Sequence, residues 1–146
     1  MSLPELKHKA LRLLARREYS RVELGARLVR DEGQPDEVDA VLSELEAEGW
    51  LSDSRYVEQI LNARLGRYGR EHVLHELRSK GIGEDLVRSA MPRIMDAQID
   101  ALKSIWQRKF GKMPENRKEL AQQVRFLQGR GFSLDEILGV IGHTED

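Results

Sequence analysis

A helix-and-glycine signature returns three times along this chain at nearly constant spacing, and it limits what the chain can fold into. Leu28 recurs as Leu77 and Leu127, at offsets of 49 and 50, and Gly33, Gly81 and Gly131 each follow within four or five residues. Tyr19-Ser20-Arg21 recurs as Tyr68-Gly69-Arg70, again 49 residues on. After each glycine comes an acidic helix start (Asp36-Glu37, Glu84-Asp85, Asp135-Glu136) and then an apolar helix. Such a period, with three helices in each repeat, predicts three tandem three-helix modules over residues 1–50, 51–92 and 93–146. A module that small carries little core of its own, so its neighbours must cover part of its apolar surface. The expected form is all-α, an elongated and slightly curved array that offers length for binding rather than a deep pocket.

The apolar spacing within each repeat is helical. Leu6, Ala10, Leu13 and Leu14 fall at i, i+4, i+7 and i+8, and Val38, Val41, Leu42 and Leu45 at 0, 3, 4 and 7. Leu134, Ile137, Leu138 and Ile141 repeat that second pattern, while Met95, Ile99, Leu102 and Trp106 run at 0, 4, 7 and 11. Each set makes one stripe of a 3.6-residue helix, to be buried against another element. No stretch alternates as a strand does. Ser20 with Glu23 and Ser133 with Glu136 fit capping boxes, Asn116 with Glu119 is a weaker pair, and Asp53 suits the start of the next helix. Pro35 suits a first turn, and Gly33, Gly49, Gly81, Gly111 and Gly131 stand where helices should stop. Pro92 predicts a break. The sum is nine helices, near 4–18, 20–32, 35–48, 53–66, 70–80, 84–91, 94–110, 116–129 and 133–141.

Composition removes several classes of function. The chain has 146 residues and no cysteine, which excludes disulfides, thiolate metal sites, iron–sulfur clusters and a cysteine nucleophile. No apolar run approaches the roughly 18 residues a membrane span needs, and residues 1–7 lack the apolar core of a secretory signal. The expected compartment is the cytoplasm. His72 and His75 share a helix with Glu71 and Glu76, but no third ligand has motif spacing; His8 and His143 stand apart. No phosphate loop and no G-x-S-x-G nucleophile is present, so neither a catalytic site nor a cofactor is expected. The aromatics Tyr56, Trp106, Phe126 and Phe132 read as core, and Trp50 as packing between modules.

Charge is the informative remainder. The formal net charge of −1 conceals a segregated chain. Residues 1–30 hold eight Lys/Arg against three Asp/Glu, residues 31–58 one against ten, and residues 59–146 fifteen against twelve. Arg outnumbers Lys 17 to 7, a bias toward forked recognition of phosphate and carboxylate. Arg64, Arg67, Arg70, Arg78 and Lys80 gather in the second repeat, and Arg12, Arg16, Arg17, Arg21, Arg27 and Arg30 in the first. Such a face suits either a nucleic-acid backbone or the acidic rim of a protein filament.

The central segment carries a resemblance. Asp53-Ser54-Arg55-Tyr56 leads through Arg64 and Gly69 to Glu76-Leu77-Arg78-Ser79-Lys80-Gly81-Ile82. This is similar to the middle module of the RecX family, bacterial regulators of the RecA recombinase. Leu11 to Ser20 with Glu23-Leu24, Arg108-Lys109-Phe110-Gly111 and Phe126 to Ile137 resemble the same family in the same order, so the resemblance covers essentially the whole chain. Val57 stands where the family usually has Ala, and Arg70 where a Pro is common; both leave contact details open.

The resemblance implies a non-enzymatic modulator that lies in the groove of a RecA–single-stranded DNA filament. It would suppress ATP hydrolysis, strand exchange and coprotease activity. The residues expected to meet DNA or filament are Arg64, Arg67, Arg70, Arg78 and Lys80, with Arg16, Arg17 and Arg21 second. The acidic stretch from Asp31 to Glu48 is expected to face basic protein surface, away from nucleic acid. A monomer is expected, since no long heptad run calls for a dimer. Two alternatives stay open. One is a DNA-binding or helix-turn-helix-like regulator acting without RecA, against which the near-neutral charge counts. The other is a protein adaptor that touches no DNA.

Overall fold

The computed structural model describes residues 2–142, so His143 lies outside it. Eight helices occupy the described residues: α1 (Leu3–Arg16), α2 (Arg21–Arg30), α3 (Pro35–Ala47), α4 (Asp53–Arg64), α5 (Arg70–Ser79), α6 (Glu84–Lys109), α7 (Arg117–Gly129) and α8 (Leu134–Ile141). Among these residues no strand forms beyond an isolated bridge between Leu65 and Tyr68. No helix is long and apolar enough to cross a membrane.

The repeat shows in how helices end. After α2, α5 and α7 the chain closes with the same pair of bonds. Gly33, Ile82 and Phe132 donate their N–H back to the carbonyls of Leu28, Leu77 and Leu127, at 2.8, 3.1 and 3.3 Å. Glu32, Gly81 and Gly131 donate to Val29, Arg78 and Gln128 at 3.1, 3.0 and 3.0 Å. This is the Schellman pattern, which needs one left-handed residue. Gly81 and Gly131 supply it at φ 75° and 100°. In the first copy the left-handed residue is Glu32, at φ 77°, rather than the neighbouring Gly33. Gly33 serves close packing instead: a Cβ there would sit 2.7 Å from Val38 and 2.8 Å from the Leu28 carbonyl.

The expected break at Pro92 does not occur, and α6 runs unbroken for 26 residues. Its buried stripe explains why. Val87, Ala90, Ile94, Gln98, Ala101, Leu102 and Ile105 keep one helical phase through the proline, while Pro92 itself is exposed. The proline's lost bond and ring clash therefore fall on the solvent side, and continuous burial outweighs them. The stripe differs from the one that spacing suggests. Met95 and Ile99 are 47% and 42% exposed, because a buried polar residue, Gln98, takes the inward place.

The chain packs as two compact units. One holds residues up to Gln59 together with Leu77–Leu86; the other holds Ile60–Glu76 and the chain from Val87 onward. In the first, Leu6 and Ala10 of α1, Leu24 and Leu28 of α2, and Val38, Val41, Leu42 and Leu45 of α3 form the core with Tyr19 and Leu51. In the second, Ala101, Leu102 and Ile105 of α6 meet Leu127 of α7, Phe132, and Ile137 and Ile141 of α8. Each buried Leu or Ile is worth about 1.5–3 kcal/mol, and these clusters drive the helices together. Tyr56 and Phe132 are core as expected, Trp106 and Phe126 are partly buried, and Trp50 is 56% exposed. Leu134 is also exposed, although it shares the α8 spacing.

Caps hold the helix starts. Ser20, Asn116 and Ser133 accept from the N–H of Glu23, Glu119 and Glu136, and only the Ser133–Glu136 pair closes a full capping box. Ser52, not Asp53, caps α4, accepting from Arg55 N–H at 3.1 Å. Asp53 has another task.

Candidate functional site

In the first unit, the start of α2 is pinned from outside its own helix. Asp53 Oδ1 accepts the Arg21 N–H at 2.7 Å, and the buried Ser20 hydroxyl donates to the Lys80 carbonyl at 2.7 Å. The first N–H groups of a helix lack internal partners, so a remote carboxylate both satisfies one and fixes the direction of the helix. This joint opens a groove of about 470 Å³ along α2, lined by Arg17, Tyr19, Val22, Glu23, Ala26, Arg27, Arg30, Ser79 and Lys80. Arg17 lies 3.6 Å over the Tyr19 ring and grips Glu23 through two bonds of 3.1 and 3.0 Å. Lys80 approaches the same carboxylate at 3.5 Å. Burial works to raise the Glu23 pKa; the Arg17 bonds and charge, with Lys80, override it and bring it below the ordinary value of 4.5. The groove thus carries a fixed negative charge among its cations.

The second unit repeats the joint with different chemistry. Gln98 Oε1 accepts the Arg70 N–H at 2.7 Å, taking the role Asp53 plays for Arg21. Gln98, 3% exposed, also donates to Glu136 at 3.2 Å, which connects α6 to the start of α8. At Ser20's counterpart, Gly69 donates its backbone N–H to the Arg130 carbonyl at 2.5 Å. A Cβ on Gly69 would lie 2.6 Å from the Gly131 oxygen. Only glycine permits this approach.

A groove of about 410 Å³ beside this joint is lined by Arg67, Tyr68, Ile105, Arg108, Lys109, Phe126 and Arg130. It contains no carboxylate. None of its four cations has an acidic partner among the described residues. The Arg130 guanidinium stacks over Tyr68 at 4.9 Å and Phe126 at 5.2 Å, and donates to the Arg67 carbonyl at 3.4 Å. Lys109 sits 5.1 Å over Phe126, and Arg108 donates to the Gly66 carbonyl at 3.2 Å. His72 stacks flat against Tyr68 at 4.0 Å, where the first copy has Glu23. Aromatic rings and carbonyls hold Arg108, Lys109 and Arg130 without neutralising them, so they remain available to an anion.

The structure separates the basic residues that sequence singles out. Arg67 lies in the second unit's groove, and Arg17 and Lys80 in the first unit's. Arg16 is exposed and lines a shallow surface with Lys9, Arg12, Leu13 and Arg27. Arg64 is engaged by Glu76 through bonds of 2.7 and 3.1 Å. Arg78 pairs with Glu84 at 3.1 Å, and Arg70 approaches Glu71 at 3.5 Å. Arg21, repeat partner of Arg70, spans Glu46 and Asp39, the latter at 2.5 Å. The acidic stretch is engaged in surface pairs in the same way. Glu44 and Glu48 meet Lys7, and Asp31 meets Lys9 and Arg27, which hold its pKa at about 2. Arg108, Lys109 and Arg130 escaped the sequence reading as a set. The available signal was the spacing of 50 between Lys80 and Arg130.

Family models match in chain order: the first, second and third three-helix domains of RecX, over residues 7–45, 52–91 and 96–141. The chain belongs to the RecX family. "Regulatory protein RecX" of Leptothrix cholodnii is 39% identical, over 97% of this chain and 92% of the relative. Its namesake in Ectopseudomonas mendocina is 42% identical, over 90% and 89%. The crystal structure of RecX from Lactobacillus salivarius shares the fold with a TM-score of 0.78 at 17% identity, covering 95% of this chain and 94% of that one. A second crystal structure, of regulatory protein RecX, superposes with a TM-score of 0.80 at 18% identity, over 94% and 72%. The all-α architecture of three-helix domains expected from the repeat is that of RecX.

Proposed function

We propose that this RecX-family chain is a non-enzymatic modulator of RecA that binds in the groove of the RecA–single-stranded DNA filament. Bound there, it suppresses ATP hydrolysis, strand exchange and coprotease activity. The observation that carries the reading is the carboxylate-free groove of Arg67, Arg108, Lys109 and Arg130 in the second unit. Four cations, three of them held by rings and carbonyls, suit the regularly spaced charges of a phosphate backbone. Arg16, Arg17 and Lys80 supply a second basic surface. Arg78 sits in an exposed pair and Arg70 in a long one of 3.5 Å, each weak enough to exchange a carboxylate for a phosphate, whereas Arg64 and Arg21 act first in holding their helices. The modules run over 1–50, 51–92 and 93–146, and the chain works in the cytoplasm as a monomer without metal or cofactor. Light scattering near 16.8 kDa is the expected result for the oligomeric state.

The test is ATP hydrolysis by preformed RecA filaments while the protein is titrated in, repeated with excess single-stranded DNA. Inhibition well below one molecule per RecA, persisting in excess DNA, is expected. An absence of inhibition alongside salt-sensitive DNA binding would replace this reading with the RecA-independent DNA binder, which the same groove also favours.

A further inference from the structure

The outward row of α2 is apolar where the second repeat is polar. Val22, Ala26 and Val29 stand at i, i+4 and i+7, and the two valines are 55% and 43% exposed. Forty-nine residues on, α5 carries Glu71, His75 and Arg78 in the corresponding places. The α2 row spans about 10 Å, roughly two helical turns. Val22 and Ala26 line the first unit's groove, and Arg17, Arg27, Arg30 and Lys80 ring it, Arg17 and Lys80 sharing the one carboxylate of Glu23 and Arg27 and Arg30 that of Asp31. Single exposed valines are ordinary; a row of apolar side chains flanked by cations is the pattern that receives an amphipathic helix.

We propose that this groove docks an acidic amphipathic helix from a protein partner. Apolar side chains at helical spacing would pack along Val22, Ala26 and Val29, and flanking Asp or Glu would meet the rim cations. The four rim cations outnumber Glu23 and suit acidic side chains, while the apolar row argues against nucleic acid: a phosphate chain would gain nothing from the valines, an obstacle the second unit's groove lacks. The inference deepens the filament reading and rests on it only for which protein supplies the helix.

The experiment follows amide NMR shifts of the full chain, titrated with a synthetic helical peptide carrying a Leu row flanked by Glu, and separately with short oligo(dT). The peptide is expected to move the amides of Val22, Ala26, Val29 and Ser79, and oligo(dT) those of Arg67, Gly69 and Arg130. Replacing the peptide's Glu by Gln is expected to weaken it by about tenfold. A double variant at exposed positions, Ala26→Glu with Val29→Asp, should weaken the peptide by about tenfold and oligo(dT) by less than about twofold. Oligo(dT) moving the α2 amides as strongly as the peptide would assign the groove to phosphate and overturn the proposal. So would a peptide that moves no α2 amide. On RecA filaments the failures separate: an inert wild-type protein sinks the filament reading alone, while undiminished inhibition by the double variant sinks the groove.

Discussion

The two joints are copies of one arrangement that have diverged in chemistry. Each begins with a Tyr one residue before the helix junction, takes the first helical N–H into a remote side chain, and closes on a Schellman turn. Where the first uses Asp53, Ser20 and Glu23, the second uses Gln98, Gly69 and His72. The first therefore carries negative charge into its groove, and the second leaves four cations without an acidic partner among the described residues. Repetition conserves the hydrogen-bonding problem at a helix start, while the groove beside it is free to change partner.

The comparison breaks most sharply at Gly69. Gly69→Ala puts a Cβ against the Gly131 carbonyl, so a loss of about 2–3 kcal/mol is expected, read by urea unfolding and by hydrogen exchange localised to the second unit. Ser20→Ala removes two bonds of a buried hydroxyl in the first unit, its donation to the Lys80 carbonyl and its cap on the Glu23 N–H, and should cost about 1–2 kcal/mol.

The remote acceptors rank next. Gln98→Ala strips two partners from a buried site and should cost about 2 kcal/mol, against about 1 kcal/mol for Asp53→Ala. Equal losses would mean that the two joints are energetically the same despite their different acceptors. The Schellman turns offer a change in the other direction. Glu32→Gly restores at φ 77° the residue type of the other two copies and should stabilise the first unit by about 1 kcal/mol, seen as a higher urea midpoint.

Binding separates the grooves more gently. Arg130→Ala should weaken oligo(dT) by about fivefold and lower the salt dependence by roughly one phosphate contact, while Lys80→Ala should change it by less than about twofold. Acid is the mildest probe. The folded Glu23 carboxyl has a pKa below its ordinary 4.5, so its stabilisation is present above that pH and drains away as pH falls through the folded value. Glu23→Gln should flatten that part of the first unit's acid unfolding curve. A curve that keeps its slope would place the acid sensitivity elsewhere, with Asp31 next to examine, since its pKa of about 2 makes its loss later.

Much of the fold was readable locally. Stripes such as Val38-Val41-Leu42-Leu45 and caps such as Ser133–Glu136 are problems solved within one or two turns, and side-chain spacing reports them directly. Long α6 was less readable, because packing decides which of its faces is inside. Met95 and Ile99 share a stripe by spacing yet lie exposed, while Gln98 is inside because the Arg70 N–H and Glu136 satisfy its amide. Pro92 looks like a break because its cost depends on which face it occupies, and that is settled by packing. The site was less readable still. Arg64 and Arg67 are near neighbours in sequence, yet one is engaged by Glu76 and the other opens onto a groove with Arg108, Lys109 and Arg130.

Helix content, the three-fold repeat, the family and the bias toward arginine are properties of the amino-acid sequence itself, because periodicity and composition act at short range. Tertiary structure alone decided which cations lack an acidic partner among the described residues, that α6 passes through its proline, and that one of two equivalent joints sets a carboxylate in its groove while the other does not. Those outcomes depend on partners tens of residues away, from Asp53 for Arg21 to Arg130 for Gly69, and on what each contact leaves unpaired.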